Sequence, residues 1–102
     1  MNMVKKSFSE KVYNLTKKIP AGKVSTYRNI ANKLNTKAYQ AVGNAMNKNP
    51  NAPSTPCHRV INSNGNLGGF ASGLKNKIKL LKQEGIEIKD NKINLKKFEY
   101  KF

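Results

Sequence analysis

The sequence predicts a mainly α fold: one compact helical domain with a helix-turn-helix, short strand-like segments and room for a small C-terminal hairpin. Three observations carry this expectation. The chain has 102 residues, enough for one domain and one modest core. Apolar residues recur at three- and four-residue spacing in separate stretches, the period of a helix face. Proline, glycine and Ser/Thr caps punctuate those stretches where helices should start and stop.

The first helix is expected from about Phe8 to Lys18. Ser7 and Glu10 form a capping box, Phe8, Val12, Leu15 and Ile19 line one face, and Pro20-Ala21-Gly22 ends the run. A second helix is expected from about Thr26 to Leu34, capped by Ser25, with Tyr27, Ile30, Ala31 and Leu34 on its apolar face. The third, capped by Thr36, carries Ala38, Ala41, Val42, Ala45 and Met46 as a stripe. The tight polar turn Asn35-Thr36 between these two suggests a helix-turn-helix over about residues 26–48, whose second helix would read DNA. An ordinary αα-hairpin is the commoner explanation of such a pair.

Asn49 to Pro56 contains Pro50, Pro53 and Pro56. Proline fixes φ and removes a donor, so this loop should be extended and pre-shaped. It delivers Cys57-His58-Arg59-Val60-Ile61, read as a short strand-like run, followed by a turn at Asn62–Asn66. Gly68-Gly69-Phe70 lets backbone approach closely. The fourth helix is expected from about Leu74 to Glu84, with Leu74, Ile78 and Leu81 inward and Gly85 as its cap. Ile86 to Leu95, broken at Asp90-Asn91, has the pattern of a small hairpin. The last segment, Lys96 to Phe102, gives no clear signal.

Charge narrows the function. Twenty Lys and Arg against five Asp and Glu give a formal net charge of +15. A small, strongly basic chain suits a polyanion, with nucleic acid first and an anionic membrane surface second. No apolar run is long enough to span a membrane, and Met1 to Lys6 lacks the apolar core of a secretory signal. The single cysteine excludes an internal disulfide and a cysteine-rich zinc site. A lone thiol fits a reducing compartment. The expectation is a cytoplasmic, nucleoid-associated monomer with no metal and no cofactor.

Cys57 follows a proline-stiffened loop and precedes His58 and Arg59. A thiolate is the reactive form of cysteine, and nearby cationic or proton-accepting groups favour it. A positioned imidazole can take the thiol proton directly or through water, and then needs an orienting partner. Among the five acids, Glu10, Glu84, Glu87, Asp90 and Glu99, Glu84 at the end of the fourth helix is best placed. Adjacency does not make a dyad, because neighbouring side chains on a strand point to opposite faces. On these residues alone, three readings stay open: a hydrolase nucleophile, an alkyl acceptor, or a structural cysteine.

Pro56-Cys57-His58-Arg59-Val60 resembles the active-site signature of the O6-alkylguanine-DNA alkyltransferases, also called methylated-DNA–protein-cysteine methyltransferases. Ile19 to Tyr27 resembles the family segment leading into its helix-turn-helix, and Ala41-Val42-Gly43-Asn44-Ala45-Met46 its recognition helix. Asn49-Pro50, Gly68-Gly69-Phe70 and Leu80 to Gly85 resemble further family segments. The likeness runs in order from about Phe8 to Ile88.

The resemblance implies a function. Cys57 would take the alkyl group from O6-alkylguanine in double-stranded DNA, once per molecule and after base flipping. It implies that His58 deprotonates Cys57 through water, oriented by Glu84. Tyr27 would help expel the lesion nucleotide and donate to the departing guanine. Asn49 would tie the recognition helix to the active-site loop. Tyr27, Cys57, Val60, Phe70 and Ala71 would form the base pocket, and Arg59 would anchor the loop. Thr26, Tyr27, Lys37, Gln40, Ala41, Gly43 and Lys48 would contact DNA.

Two departures from the family pattern stand out. The N-terminal domain of the larger members is expected to be absent, leaving residues 1–102 as one active-site and DNA-binding domain. Gln40 stands where the family usually has an arginine that fills the gap left by the flipped base. The main alternative is an alkyltransferase-like protein, which binds alkylated DNA without transfer. Such proteins typically carry Trp at the acceptor position, whereas this chain has Cys57 and no Trp. A plain helix-turn-helix regulator would not need the cysteine motif, and a cysteine hydrolase would not need the charge.

Overall fold

The computed structural model describes residues 7–48, 55–68 and 73–102. In chain order it contains α1 (Phe8–Thr16), β1 (Ser25–Thr26), α2 (Tyr27–Lys33) and α3 (Tyr39–Asn47). A 3-10 turn (Cys57–Arg59), β2 (Val60–Ile61), α4 (Leu74–Gln83) and α5 (Leu95–Phe98) follow. The mainly helical class is borne out.

Helix α1 starts as expected, with the Ser7 hydroxyl accepting from the Glu10 amide at 3.2 Å. It ends two residues early. The buried Thr16 turns its hydroxyl back onto the Val12 carbonyl at 2.8 Å, and the next amides close three-residue turns, Lys18 to Leu15 and Ile19 to Thr16. Such tightening is common where a helix runs out of partners.

The cap of α2 is Thr26, whose hydroxyl accepts from Asn29 N at 3.0 Å, rather than the expected Ser25. Ser25 is engaged elsewhere. It pairs with Val60 in a parallel two-stranded sheet, Thr26 pairs with Ile61, and Ser25 Oγ accepts from Asn29 Nδ2. Helix α3 also begins later than its expected cap. Thr36 Oγ1 accepts from Ala38 N at 3.1 Å, so it shapes the approach to the helix, which starts at Tyr39. The connection between α2 and α3 is therefore longer than Asn35-Thr36, and Asn35 takes a positive φ of 55° to make it.

The core has two parts, and β2 joins them. Val12, Leu15, Ile19, Ile30, Ala31, Val42, Ala45 and Met46 from α1–α3 pack with Cys57 and Val60. Val24, Ile61, Leu67, Leu81, Ile86, Ile93 and Phe98 form the second cluster. Val60 and Ile61 are consecutive on a strand and so face opposite sides, one into each cluster.

Helix α4 corrects one assignment. Leu74, expected inward, is 40 % exposed, while Lys77 is fully buried four residues before the buried Leu81. The inward row is thus Lys77–Leu81, an i, i+4 pair. Glu84 takes the C-cap position, and Gly85 follows with φ 85°, the left-handed geometry that commonly ends a helix.

The C-terminal hairpin is reduced to one bridge. Lys89 and Lys92 exchange both backbone hydrogen bonds, at 3.0 and 2.9 Å. Asp90 and Asn91 both have positive φ between them, as a two-residue I′ turn requires. Gly65 packs against the backbone of Ile93, which follows this turn: Ile93 N donates to the Gly65 carbonyl at 2.9 Å, and a Cβ on Gly65 would lie 2.8 Å from the Ile93 carbonyl oxygen.

The final segment, silent in the sequence, is anchored at Val24. Val24 N donates to the Phe98 carbonyl, and Tyr100 N donates to the Val24 carbonyl. Among the described residues, no helix is long and apolar enough to cross a membrane.

Candidate active site and nucleic-acid face

Cys57, 5 % exposed, opens the 3-10 turn rather than the expected strand. The local bonds explain the difference. Cys57 N donates to Thr55 O at 2.8 Å, and Arg59 N donates to Pro56 O at 2.9 Å, closing an i to i−3 turn. A 3-10 turn rotates about 120° per residue, so Cys57 and His58 are no longer forced onto opposite faces. The geometric objection to a Cys–His pairing falls away.

His58 Nε2 lies 3.0 Å from Glu84 Oε2. Arg59 holds the same carboxylate from its Nε, at 2.9 and 3.1 Å, and from Nη2, at 2.6 Å. Its Nη1 donates to the Ile19 carbonyl at 2.8 Å. Arg59 thus ties the turn after Cys57 to the ends of both α1 and α4. Burial pushes the Glu84 carboxyl upward, but the hydrogen bonds and charges of Arg59 and His58 outweigh it and hold it below its ordinary value.

Burial pushes the His58 imidazole below its ordinary 6.5, against the pull of Glu84; Arg59 and Lys77 lower it further. His58 is therefore neutral at neutral pH. Glu84 is ionised and can only accept, so the His58 nitrogen facing it carries the proton. The lone pair then resides on Nδ1, leaving that nitrogen able to accept a proton.

Tyr27, at the start of α2, is half-buried. Burial and the nearby Cys57 charge raise its phenol above 10.0, so it is a protonated donor. It also lines a groove of about 530 Å³ with Arg28, Tyr39, Gln40, Gly43, Asn44, Asn47 and Asn62–Asn64. Cys57 does not line that groove. Tyr27 is the residue shared between the groove and the surroundings of the thiol.

Gln40, Lys37 and Lys48 are exposed on or beside α3, Ala41 and Gly43 are half-exposed, and Tyr39 is 41 % exposed. A Cβ at Gly43 would meet nothing within 4 Å. The chain itself therefore does not require glycine there, which leaves open surface in the middle of the helix.

Of the residues expected from sequence, Cys57, His58, Arg59, Glu84, Tyr27 and Val60 come together. Gln40, Ala41, Gly43, Lys37 and Lys48 share the α3 side. Thr26 stands apart, because it is 2 % exposed and its hydroxyl caps α2. Asn49, Phe70 and Ala71 lie outside the described residues.

Sequence reasoning missed Lys77. Its ammonium donates to the carbonyls of Val60 at 2.8 Å and Leu67 at 2.6 Å. Burial lowers it to about 8, although the nearby Cys57 charge acts to raise it. The available signal was a lysine spaced four residues before Leu81 on the inward row.

Residues 7–86 match the family model described as 6-O-methylguanine DNA methyltransferase, DNA binding domain. A methylated-DNA–protein-cysteine methyltransferase of Methanosarcina acetivorans is 53 % identical over 79 residues, covering 76 % of this chain and 51 % of that protein. The chain spans about half the length of the curated methyltransferases it matches.

Among solved structures, S. pombe Atl1 in complex with damaged DNA containing O6-carboxymethylguanine superposes with a TM-score of 0.85. It has 34 % identity and covers 98 % of this chain and 100 % of that one. The O6-methylguanine-DNA methyltransferase of Pyrococcus kodakaraensis gives a TM-score of 0.73 at 41 % identity, over 79 % of this chain and 47 % of that one.

Proposed function

The chain belongs to the 6-O-methylguanine DNA methyltransferase family through its DNA-binding domain, and from that premise we propose that it repairs DNA by moving an alkyl group from O6-alkylguanine onto Cys57. The observation that carries this reading is the side-chain arrangement beside the only thiol. His58, neutral and held by Glu84, follows Cys57 in the same turn, and Tyr27 lies close by.

The lesion base reaches the site only when turned out of the duplex, since a base carbon inside the stack is beyond a side chain's reach. The α3 face, with Lys37, Gln40, Ala41, Gly43 and Lys48, lies on the DNA. Binding is mainly electrostatic, through a surface rich in Lys. Asn49, Phe70 and Ala71 complete the site as hinge and base pocket.

The Cys57 proton passes to His58 Nδ1 through water. The thiolate sulfur attacks the alkyl carbon, an S–C bond forms, and the bond from that carbon to guanine O6 breaks. The electron pair stays with the base, and a proton from the Tyr27 phenol neutralises it, replaced from solvent. The product is a thioether, which a thiolate cannot displace, so each molecule acts once.

A second reading, recognition of alkylated DNA without transfer, is favoured by the end-to-end likeness to Atl1. One titration separates the two. With duplex DNA carrying labelled O6-methylguanine in excess, label bound to protein should saturate at one methyl per chain. Retention of the damaged duplex with no label on the protein supports the binding-only reading, and continued turnover contradicts both.

A further inference from the structure

We propose that Tyr39 is a stacking residue for damaged duplex DNA: its exposed ring rests against the unpaired base left opposite the lesion once the damaged nucleotide has been turned out. The proposal deepens the reading of α3 as the DNA face and rests on it.

Three observations support it. The first is that the fold makes no use of this ring. Of the four tyrosines, Tyr13, Tyr27 and Tyr100 pack against the first core cluster. Tyr13 also donates to the Ala45 carbonyl at 2.8 Å, and Tyr100 meets Phe102 edge-on with ring centroids 5.4 Å apart. Tyr39 is 41 % exposed and packs on neither cluster. A single exposed apolar side chain is ordinary, so exposure alone carries nothing.

The second observation is placement. Tyr39 is the first residue of α3 and lines the groove of about 530 Å³ together with Gln40 and Gly43 of the same helix. Tyr27 and Arg28 of α2 line it as well, and Tyr27 also lies near the thiol. With the lesion base at Cys57, the duplex it has left lies along this groove, and Tyr39 is on the groove wall.

The third observation is chemical. Apart from the two tyrosines, the side chains of the groove are amides, one hydroxyl and the Arg28 guanidinium. Tyr27 is half-buried against the core, so Tyr39 offers the exposed aromatic face. Turning a base out costs its stacking and its pair. Aromatic side chains recover part of such a loss, because every base has a π-face, and side chains are inserted at disrupted base steps in other protein–DNA complexes. Gln40, the neighbour of Tyr39, has no ring and no charge. It fills space, while the ring beside it supplies the stacking surface. Arg28 and Lys37, both exposed, offer cations to the phosphates at this end of the groove.

The test uses the full chain and three proteins: wild type, Tyr39→Ala and Tyr39→Phe. Affinity is measured by fluorescence anisotropy for an intact duplex and for the same duplex with a reduced abasic site opposite cytosine, which mimics the vacated step. Stacking one base on an aromatic ring is worth on the order of tenfold in affinity or more. Wild type should therefore prefer the abasic duplex, and Tyr39→Ala should lose about tenfold on it while changing little on the intact one. Tyr39→Phe keeps the ring and should match wild type on both. Melting temperature should be almost unmoved in both variants, since the side chain packs on neither core cluster. With 2-aminopurine in place of the cytosine, wild type and Tyr39→Phe should quench its fluorescence on binding, and Tyr39→Ala should not.

Equal losses on the two duplexes would mark Tyr39 as an ordinary surface contact and overturn the proposal. So would unchanged affinity of Tyr39→Ala for the abasic duplex, or a Tyr39→Phe variant that behaves like Tyr39→Ala. Methyl transfer from O6-methylguanine duplex should slow about tenfold in Tyr39→Ala, with transfer from the free alkylated base unchanged. The two readings fail separately. A wild type that accepts no methyl but whose preference for the abasic duplex depends on the Tyr39 ring refutes the transfer function alone, and a wild type that accepts the methyl with no such dependence refutes the stacking role alone.

Discussion

Replacing Glu84 with glutamine removes one charge from the centre of the site while keeping the shape of the side chain. The carboxylate receives Arg59 through Nε at 2.9 Å and Nη2 at 2.6 Å, and His58 at 3.0 Å. Removing one partner of a fully buried ion pair costs about 3–5 kcal/mol. Here the Glu84 and Arg59 side chains are 16 % and 17 % exposed, so water screens part of the loss, and about 2 kcal/mol is expected. A domain of this size loses about 4–8 °C of melting temperature per kcal/mol, giving a drop of roughly 10 °C.

Reactivity should suffer separately. Without the carboxylate, burial lowers the His58 imidazole unopposed, and the amide can turn its NH2 toward the ring and favour the wrong tautomer. General-base assistance is worth about 10²–10⁴ in rate. Losing the partner that orients the base should slow neutral-pH alkylation by roughly tenfold to a hundredfold. Pseudo-first-order iodoacetamide kinetics, run well below the melting temperature, read the chemistry, and circular dichroism reads the fold. A folded Glu84→Gln variant whose rate–pH curve superimposes on wild type removes Glu84 from the proton path.

Three other outcomes follow from the geometry. Gly43→Ala should stabilise the free protein by about 1 kcal/mol, because the added Cβ meets nothing and alanine is the better helix former; it should also weaken duplex binding severalfold, and unchanged affinity in a direct titration would mean that DNA does not approach that face. Stability should rise with pH across three windows, since each group has a folded-state pKa below its unfolded one. For Glu84 stability is lost as pH falls from 4.5 through the depressed value, and for His58 as it falls from 6.5. For Lys77, displaced from 10.5 to about 8, roughly 3 kcal/mol is gained between pH 8 and 10.5 at 1.36 kcal/mol per unit; Lys77→Met should flatten that last rise in thermal melts. Gln40→Arg should speed transfer from duplex DNA more than from free alkylguanine base, and Gln40→Ala should slow it in the same selective way, because only a duplex has a stack to refill; equal effects on both substrates would exclude Gln40 from flipping.

The helices were legible because their signals are local. Ser7 with Glu10, the spacing of Val12 and Leu15, and the Gly85 stop all act within a few residues. The misread elements depend on distant partners. Ser25 has the chemistry of a cap, but parallel pairing with Val60 claims it and passes the cap to Thr26. Cys57-His58-Arg59 has the look of a strand, but Glu84 and Ile19 hold Arg59 and the turn closes on Pro56. The last residues carry no pattern of their own because their order comes from Val24.

The site divides in the same way. The cysteine motif and its acid could be singled out from sequence. Lys77 was passed over despite its spacing from Leu81, since a lysine on a basic helix reads as solvated surface until the fold brings Val60 and Leu67 over it.

The central claim is that Cys57 accepts the alkyl group, and peptide mapping by mass spectrometry tests it most directly. After incubation with duplex DNA containing O6-methylguanine, the peptide carrying Cys57 should hold a single methyl group on sulfur. Cys57→Ala should bind the same duplex and remain unmodified. A wild-type protein that binds the damaged duplex and leaves Cys57 unmethylated, or a Cys57→Ala variant that still acquires the methyl group, would contradict the account.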